Sequence, residues 1–173
     1  SPVVHAPGVY DAVTARLAAE AGFTAMHLSG AIVSATRLGV PDLGFVTGAE
    51  IADVGACVVR SAPEACLVAD ADTGYGNALQ ARQTTIDYAA AGVAGLHLED
   101  QVAPKRCGHL GEKRLVSPAE MAGKVRAAGD ARVSAGTLVI ARTDAIAVEG
   151  FQAAIDRAAL YAEAGADMLF VEA

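Results

Sequence analysis

Three carboxylates and one thiol carry most of the chemistry this sequence can offer. Asp70 and Asp72 stand two residues apart at the end of an apolar run, so their side chains share a direction if that run is a strand. Glu99 closes a second apolar run in the same way. Crowded carboxylates repel one another and resist ionisation, and a divalent cation relieves both effects. An oxygen-only set without a neighbouring His or Cys ligand suits Mg²⁺ or Mn²⁺ better than Zn²⁺. No other counter-charge for these acids is evident. Taken singly, they read as ordinary cap and loop residues. Taken together, an Asp-x-Asp and a Glu-Asp ending on adjacent strands read as a metal site.

The thiol lies in the stretch from Gln101 to Val116, which has no apolar period. Long ordered loops in compact domains are usually functional. This one contains Lys105-Arg106-Cys107-Gly108-His109. Two cations and a His beside a Cys can lower its pKa and supply a proton path. Gly108 lets a ligand approach the backbone closely. Composition alone fits a basic surface loop with an incidental Cys equally well.

The elements that must position these residues follow a repeat. Ala19-Glu20-Ala21-Gly22, Ala89-Ala90-Ala91-Gly92 and Ala162-Glu163-Ala164-Gly165 each end a helix with Gly just past the cap, and each precedes a short apolar run. Further strands are predicted at Val3-Val4-His5, at Cys66 to Ala69 and at Leu138 to Ala141. Thr47-Gly48-Ala49-Glu50 and Ser117-Pro118-Ala119-Glu120 read as capping boxes, and Asn77-Ala78-Leu79-Gln80 as a weaker one. Alternating strands and helices imply a parallel sheet with helices outside. An open doubly wound sheet would gather its ligand site at one switch point, and no G-x-G-x-x-G loop is present. Here every strand ends in polar residues: Ser29 and Gly30, Asp70 and Asp72, Glu99 and Asp100, Arg142 and Asp144, and Glu172. A polar ring of that kind is the catalytic face of an α/β (β/α)8 TIM-type barrel. Six strand candidates are present where a barrel has eight in ~250 residues. The expectation is one barrel domain over residues 1–173, incomplete, with the final two units outside it and the fragment unstable or inactive alone.

Composition sets limits on function. The chain has 173 residues, is 53% hydrophobic and 19% charged, and carries a net charge of −7. Such a balance fits a folded domain and argues against nucleic acid or an anionic membrane surface as partner. No apolar run is long enough to span a bilayer, and no signal peptide is evident. Cys57, Cys66 and Cys107 are an odd number, which fits a reducing cytoplasm. Cys57 and Cys66 have apolar neighbours and are read as buried small hydrophobes.

Glu99-Asp100-Gln101 followed by Lys105-Arg106-Cys107-Gly108-His109 resembles the signature of the isocitrate lyase/phosphoenolpyruvate mutase superfamily, in the form its methylisocitrate lyase branch carries. The likeness continues through Leu28-Ser29-Gly30, Gly39-Val40-Pro41-Asp42, Asp70-Ala71-Asp72-Thr73-Gly74-Tyr75-Gly76, Ala141-Arg142-Thr143-Asp144-Ala145 and Phe170-Val171-Glu172-Ala173, so it covers nearly the whole chain. The resemblance implies Mg²⁺, a small carboxylic-acid substrate and a homotetramer that exchanges a final helix. It implies that Asp70 and Asp72 hold the metal, with Glu99 supporting through water. By the same likeness Ser29, Gly30, Gly108 and Arg142 bind substrate, Asp42 orders the site, Glu172 contacts the substrate region, and Cys107 is the general acid, flanked by Lys105, Arg106 and His109.

The activity implied is a carbon–carbon lyase (oxo-acid-lyase), cleaving a 2-hydroxy acid such as 2-methylisocitrate to pyruvate and succinate. Phosphonate mutases and decarboxylases of the group need no such acid, so Cys107 favours a lyase. Dimethylmalate lyase, carboxyphosphonoenolpyruvate mutase, oxaloacetate cleavage and an inactive fragment are the alternatives. Two residues depart from the pattern: His27 stands where methylisocitrate lyases commonly have a Tyr, and Ala31 where Gly is frequent.

Overall fold

The computed structural model describes residues 3–107, 111–132 and 136–172. Six parallel strands pair in chain order: β1 (Gly8–Val9), β2 (Ala25–Leu28), β3 (Cys66–Asp70), β4 (Gly95–Glu99), β5 (Leu138–Thr143) and β6 (Met168–Val171). Between them run α1 (Ala12–Glu20), α2 (Gly30–Val33) continued by a π-helical turn (Ser34–Leu38), α3 (Gly48–Ser61), α4 (Ala78–Ala90), α5 (Pro118–Ala131), α6 (Ile146–Glu149) and α7 (Phe151–Glu163). A sequential parallel order with a helix after each strand is barrel winding, and the sheet is a partial barrel.

Strand periodicity divides the sheet into two faces. Leu28, Leu67, Ala69, Leu96, Leu98, Val139 and Ala141 are buried against the helices. The alternate positions, His27, Asp70, His97, Glu99 and Arg142, point to the inner face. Register aligns them: Asp70 pairs with His97, and Glu99 with Arg142. The helix ends behave as the repeat predicts. Ala21, Ala91 and Ala164 cap α1, α4 and α7, and Gly22, Gly92 and Gly165 follow with φ of 89°, 84° and 102°. Only glycine adopts that left-handed turn without cost, and the chain then enters the next strand.

Several expectations change. The first strand is Gly8–Val9, not Val3 to His5; Val3 and Val4 are 81% and 67% exposed. Pairing of Gly8 with His27 brings the chain onto the sheet there. Asn77 forms a complete capping box with Gln80, whereas at Ser117 only the Ser side chain bonds, accepting from Glu120 N–H. Asp11 and Thr14 form a further capping box at α1. Cys66 is exposed, because it opens β3 at the rim opposite the polar ends, and Cys57 is half-buried. Neither is the fully buried hydrophobe expected. No helix among the described residues is long and apolar enough to cross a membrane.

Candidate active site

The strand ends enclose a cleft of about 240 Å³. Its walls are His27, Ser29, Ala31, Asp42, Asp70, His97, Glu99, Lys105, Cys107, Arg142, Phe170 and Glu172. Residues from 27 to 172 therefore meet around one small polar volume, as the polar endings predict.

Asp70 is the most constrained of the carboxylates. Its Oδ2 accepts from Gly30 N–H at 3.2 Å, and its Oδ1 accepts from Asp72 N–H at 3.0 Å. Tyr88 OH donates to the Asp70 carbonyl at 2.9 Å, and Tyr75 OH lies 3.1 Å from Tyr88 OH. Burial would raise its pKa, but His97, Lys105 and the Asp72 N–H together hold it below the ordinary value. Position 30 must be glycine for this approach: a Cβ there would stand 2.8 Å from Asp70 Oδ2. Gly30→Ala should displace the carboxylate and weaken divalent-metal binding about 10–100-fold, the usual cost of disturbing a ligand's support. Titration calorimetry with Mn²⁺ measures this, and an unchanged affinity would show that Asp70 does not report on the metal.

Asp72 sits in a left-handed turn, φ 44°, followed by Tyr75 at φ 59°. Such backbone costs energy for residues other than glycine and persists where its surroundings hold it. Here Glu99 N–H donates to Asp72 O at 2.8 Å, and the buried Lys124 ammonium donates to Thr73 O at 3.0 Å. Burial and the Asp70 charge push the Asp72 carboxyl up to about 7. Burial and Asp70 likewise raise Glu99 well above the carboxylate range.

Lys105 corrects the expectation that these acids lack a counter-charge. Its ammonium lies 2.5 Å from Asp42 Oδ1 and 3.0 Å from Asp72 Oδ1. Burial disfavours that charge, yet Asp72, Asp70 and Glu99 hold the proton firmly on. Lys105 thus neutralises carboxylates in the wall.

Arg142 is the cation of the opposite wall. Asp144 Oδ1 and Oδ2 accept from its Nη2 and Nε at 2.9 and 3.1 Å, fixing the guanidinium plane. Glu99 and Glu172 stand 3.5 and 3.6 Å away, and the Phe170 ring lies 4.9 Å below. Asp144 also accepts from buried Lys113 at 3.0 Å. Asp100, fully buried, accepts from Thr143 OH, Asp144 N–H, Arg157 and Tyr161 OH. It ties the ends of β4 and β5 together and takes no place in the cleft.

Of the sequence-predicted residues, Asp72 and Gly30 lie beside the cleft and touch its wall through Lys105 and Asp70, and three stand apart. Arg106 turns outward, partly exposed, and pairs with Glu112 at 3.1 Å, because Lys105 on one side and Cys107 on the other take the inward positions. It is not in the site. Gly108 and His109 lie outside the described residues.

Sequence reasoning missed His97, Phe170 and Lys113. His97 is buried, stacks on His27 at 5.1 Å, and its Nε2 lies 2.9 Å from His27 Nε2. Its Nδ1 is 3.7 Å from Asp70 Oδ1. Burial lowers His97 to about 4 and also lowers His27, so the pair is uncharged at neutral pH. The signal for His97 was its place two residues before Glu99 on one strand, hence on the same face.

The donor set suits a hard cation. Glu99 Oε1 is buried without a hydrogen-bond partner, and the Lys105 ammonium at 3.0 Å is what faces buried Asp72 Oδ1. An unpartnered buried oxygen calls for an ion, a water or a ligand. Among the described residues no three His, Cys, Asp or Glu side chains already converge on one point. An ion held by few carboxylates would complete its shell with waters and substrate oxygens, as Mg²⁺ does.

The comparisons with known proteins agree with this geometry. The sequence profile of phosphoenolpyruvate phosphomutase matches residues 1–173. The 2-methylisocitrate lyase of Bacillus subtilis is 49% identical over 171 residues, 99% of this chain and 56% of the relative. The 2,3-dimethylmalate lyase of Eubacterium barkeri is 44% identical over 170 residues, 98% of this chain and 58% of the relative. The crystal structure of a 2,3-dimethylmalate lyase superposes with a TM-score of 0.95 at 40% identity, covering 98% of this chain and 57% of that one. A phosphonopyruvate hydrolase solved with oxalate and Mg²⁺ superposes with a TM-score of 0.88 at 34% identity, covering 98% and 58%. The chain thus spans a little over half the length of the curated relatives it matches.

Proposed function

Since the chain belongs to the phosphoenolpyruvate phosphomutase family, within the isocitrate lyase/PEP mutase superfamily, we propose that it is a Mg²⁺- or Mn²⁺-dependent carbon–carbon lyase. The substrate class is a small 2-hydroxy di- or tricarboxylate, and 2-methylisocitrate, giving pyruvate and succinate, is the member favoured. One observation carries the reading: a thiol, Cys107, shares a cleft with a fixed guanidinium and a buried carboxylate cluster. A substrate carboxylate placed on Arg142 would put the carbon chain beside the only thiol of that cleft wall.

Asp70, Asp72 and Glu99 are the residues that would hold the metal. When bound, it supplies positive charge to the oxygens of the hydroxy-acid half. The remaining steps belong to side chains. Ser29 and Gly30 stand at the start of α2 where the carboxylate of that half would bind, the Gly30 N–H itself being held by Asp70, and Arg142 takes a carboxylate of the other half. Asp42 holds Lys105 in place. His27, uncharged and on the wall, takes the hydroxyl proton. The C–C bond then breaks, its electron pair passing to the carbon that becomes the succinate methylene. Cys107 gives its proton to that carbon, and Arg142, with Glu172 beside it, stabilises the added negative charge until then.

The domain is read as a single barrel unit and the assembly as a homotetramer, both supported by the resemblance. An odd number of cysteines suits a cytoplasmic setting. The test is keto-acid release from the protein supplied with 2-methylisocitrate, isocitrate, 2,3-dimethylmalate and oxaloacetate. Cleavage of 2-methylisocitrate with the highest kcat/KM is expected. Preference for 2,3-dimethylmalate or oxaloacetate would move the substrate assignment, and no keto acid from any of the four would overturn the lyase reading.

A further inference from the structure

The loop that carries Cys107 leaves the sheet at Gln101 and returns at Leu115, where these two residues form one antiparallel bridge. Val102 N–H donates to Arg114 O at 2.7 Å, and Val116 N–H to Asp100 O at 2.9 Å, so backbone closes the neck. Inside the neck, a side chain takes over. Gln101 is 1% exposed. Its Nε2 donates to Arg106 O at 2.9 Å, and its Oε1 accepts from Arg106 N–H at 3.0 Å.

One amide therefore satisfies both backbone groups of one residue, as a neighbouring strand would. The Arg106 side chain takes no part; it points outward to Glu112. What the clip secures is backbone, and the next residue is Cys107. On the preceding side, Lys105 is pinned to Asp42 and Asp72. Cys107 follows two consecutive anchored residues, one held by its side chain and one by its main chain.

We propose that Gln101 is a positioning residue for Cys107: its amide clips the Arg106 backbone and so aims the thiol into the cleft. The proposal deepens the lyase reading and rests on it for the role of the thiol. Glutamine is the side chain that suits the task. An ionised Glu keeps the acceptor half but repels the Arg106 carbonyl. Met fills the same space and removes the partner of both Arg106 backbone groups, which frees the loop to move.

The experiment uses Gln101→Met and Gln101→Glu with two readouts. The first is the iodoacetamide labelling rate of Cys107, followed by peptide mass spectrometry, with exposed Cys66 of the same chain as reference. The second is kcat and KM for keto-acid release. In Gln101→Met the loosened loop should raise Cys107 labelling about fivefold or more relative to Cys66, since thiol access governs the rate. The same variant should lose about 10–100-fold in kcat, the cost of an ångström-scale misplacement. KM should stay within about threefold, because the loss lies in the reacting geometry. Gln101→Glu should fall between Gln101→Met and wild type, and it carries both readouts if Gln101→Met does not fold. A labelling ratio and kcat at wild-type values in either folded variant would overturn the proposal. If Cys107→Ser keeps the full rate, the acid role of the thiol fails, while the labelling ratio still decides whether Gln101 aims the thiol.

Discussion

Cys107→Ser should lower kcat for carbon–carbon cleavage by about 10²–10⁴-fold, the usual worth of a positioned general acid. Ser is nearly isosteric, so the loop and its anchors at Lys105 and Gln101 stay in place. A hydroxyl is a far weaker acid than a thiol, so protonation of the departing carbon fails while binding does not. KM should therefore change little, which separates a lost proton donor from a lost substrate contact. Cys57→Ser and Cys66→Ser serve as controls; neither lines the cleft, and Cys66 is exposed. A Cys107→Ser enzyme within about threefold of wild type would take the thiol out of the mechanism.

Asp72→Ala should abolish metal-dependent turnover, and chelation of the wild-type protein should do the same. The removed carboxylate is one of the three that would hold the ion, and Asp70 with Glu99 leaves fewer oxygens than a hard cation takes. The wild-type site also predicts a pH dependence. Asp72 is raised to about 7, so its proton competes with the metal below that pH. Mn²⁺ affinity, read by calorimetry, should rise as pH increases through about 7. The metal-free protein should show the opposite trend in stability. A carboxyl whose folded pKa is raised stabilises the fold while protonated, so that contribution is lost between pH about 4 and about 7, and Tm should fall over that window. Added Mn²⁺ should reverse the fall. Turnover at the normal rate in excess chelator would show that the carboxylates are structural.

The parts of this site that sequence discloses are those where chemistry and strand period coincide. Asp70, Glu99 and Arg142 end apolar runs, so their place on the rim follows from the pattern alone. The helix-end glycines are equally legible, because a left-handed turn admits few other residues. His97 is less so: inside an apolar strand it reads as core, and its meaning depends on His27 lying 70 residues earlier at hydrogen-bond distance. The loop hides more. Lys105, Arg106 and Cys107 are consecutive charged and reactive residues, and nothing in their types says which turn inward. That choice is made by Asp42, Asp72 and the Gln101 amide, contacts that cross from other elements. Cys66 shows the converse error. Apolar neighbours made it look buried, but a strand's first residue can lie on the open rim whatever surrounds it in sequence.

The polar knot around Asp100 bears on how the molecule opens under native conditions. Through Thr143, Asp144 N–H, Arg157 and Tyr161 it joins β4, β5 and α7, and Glu149 completes it by holding Arg157. All of these bonds converge on one buried carboxylate whose charge would be stranded if they were lost together, which couples their opening. The reactive loop hangs from a two-residue neck, and several of its described residues are exposed. Amide hydrogen exchange should therefore resolve two cooperative units: the Asp144 amide exchanging only with global unfolding, and the Val102 amide through a shallower local opening. The substrate anchoring proposed for Arg142 then belongs to the slow unit and the proton delivery proposed for Cys107 to the fast one, so mild heat or denaturant should abolish turnover before it abolishes binding.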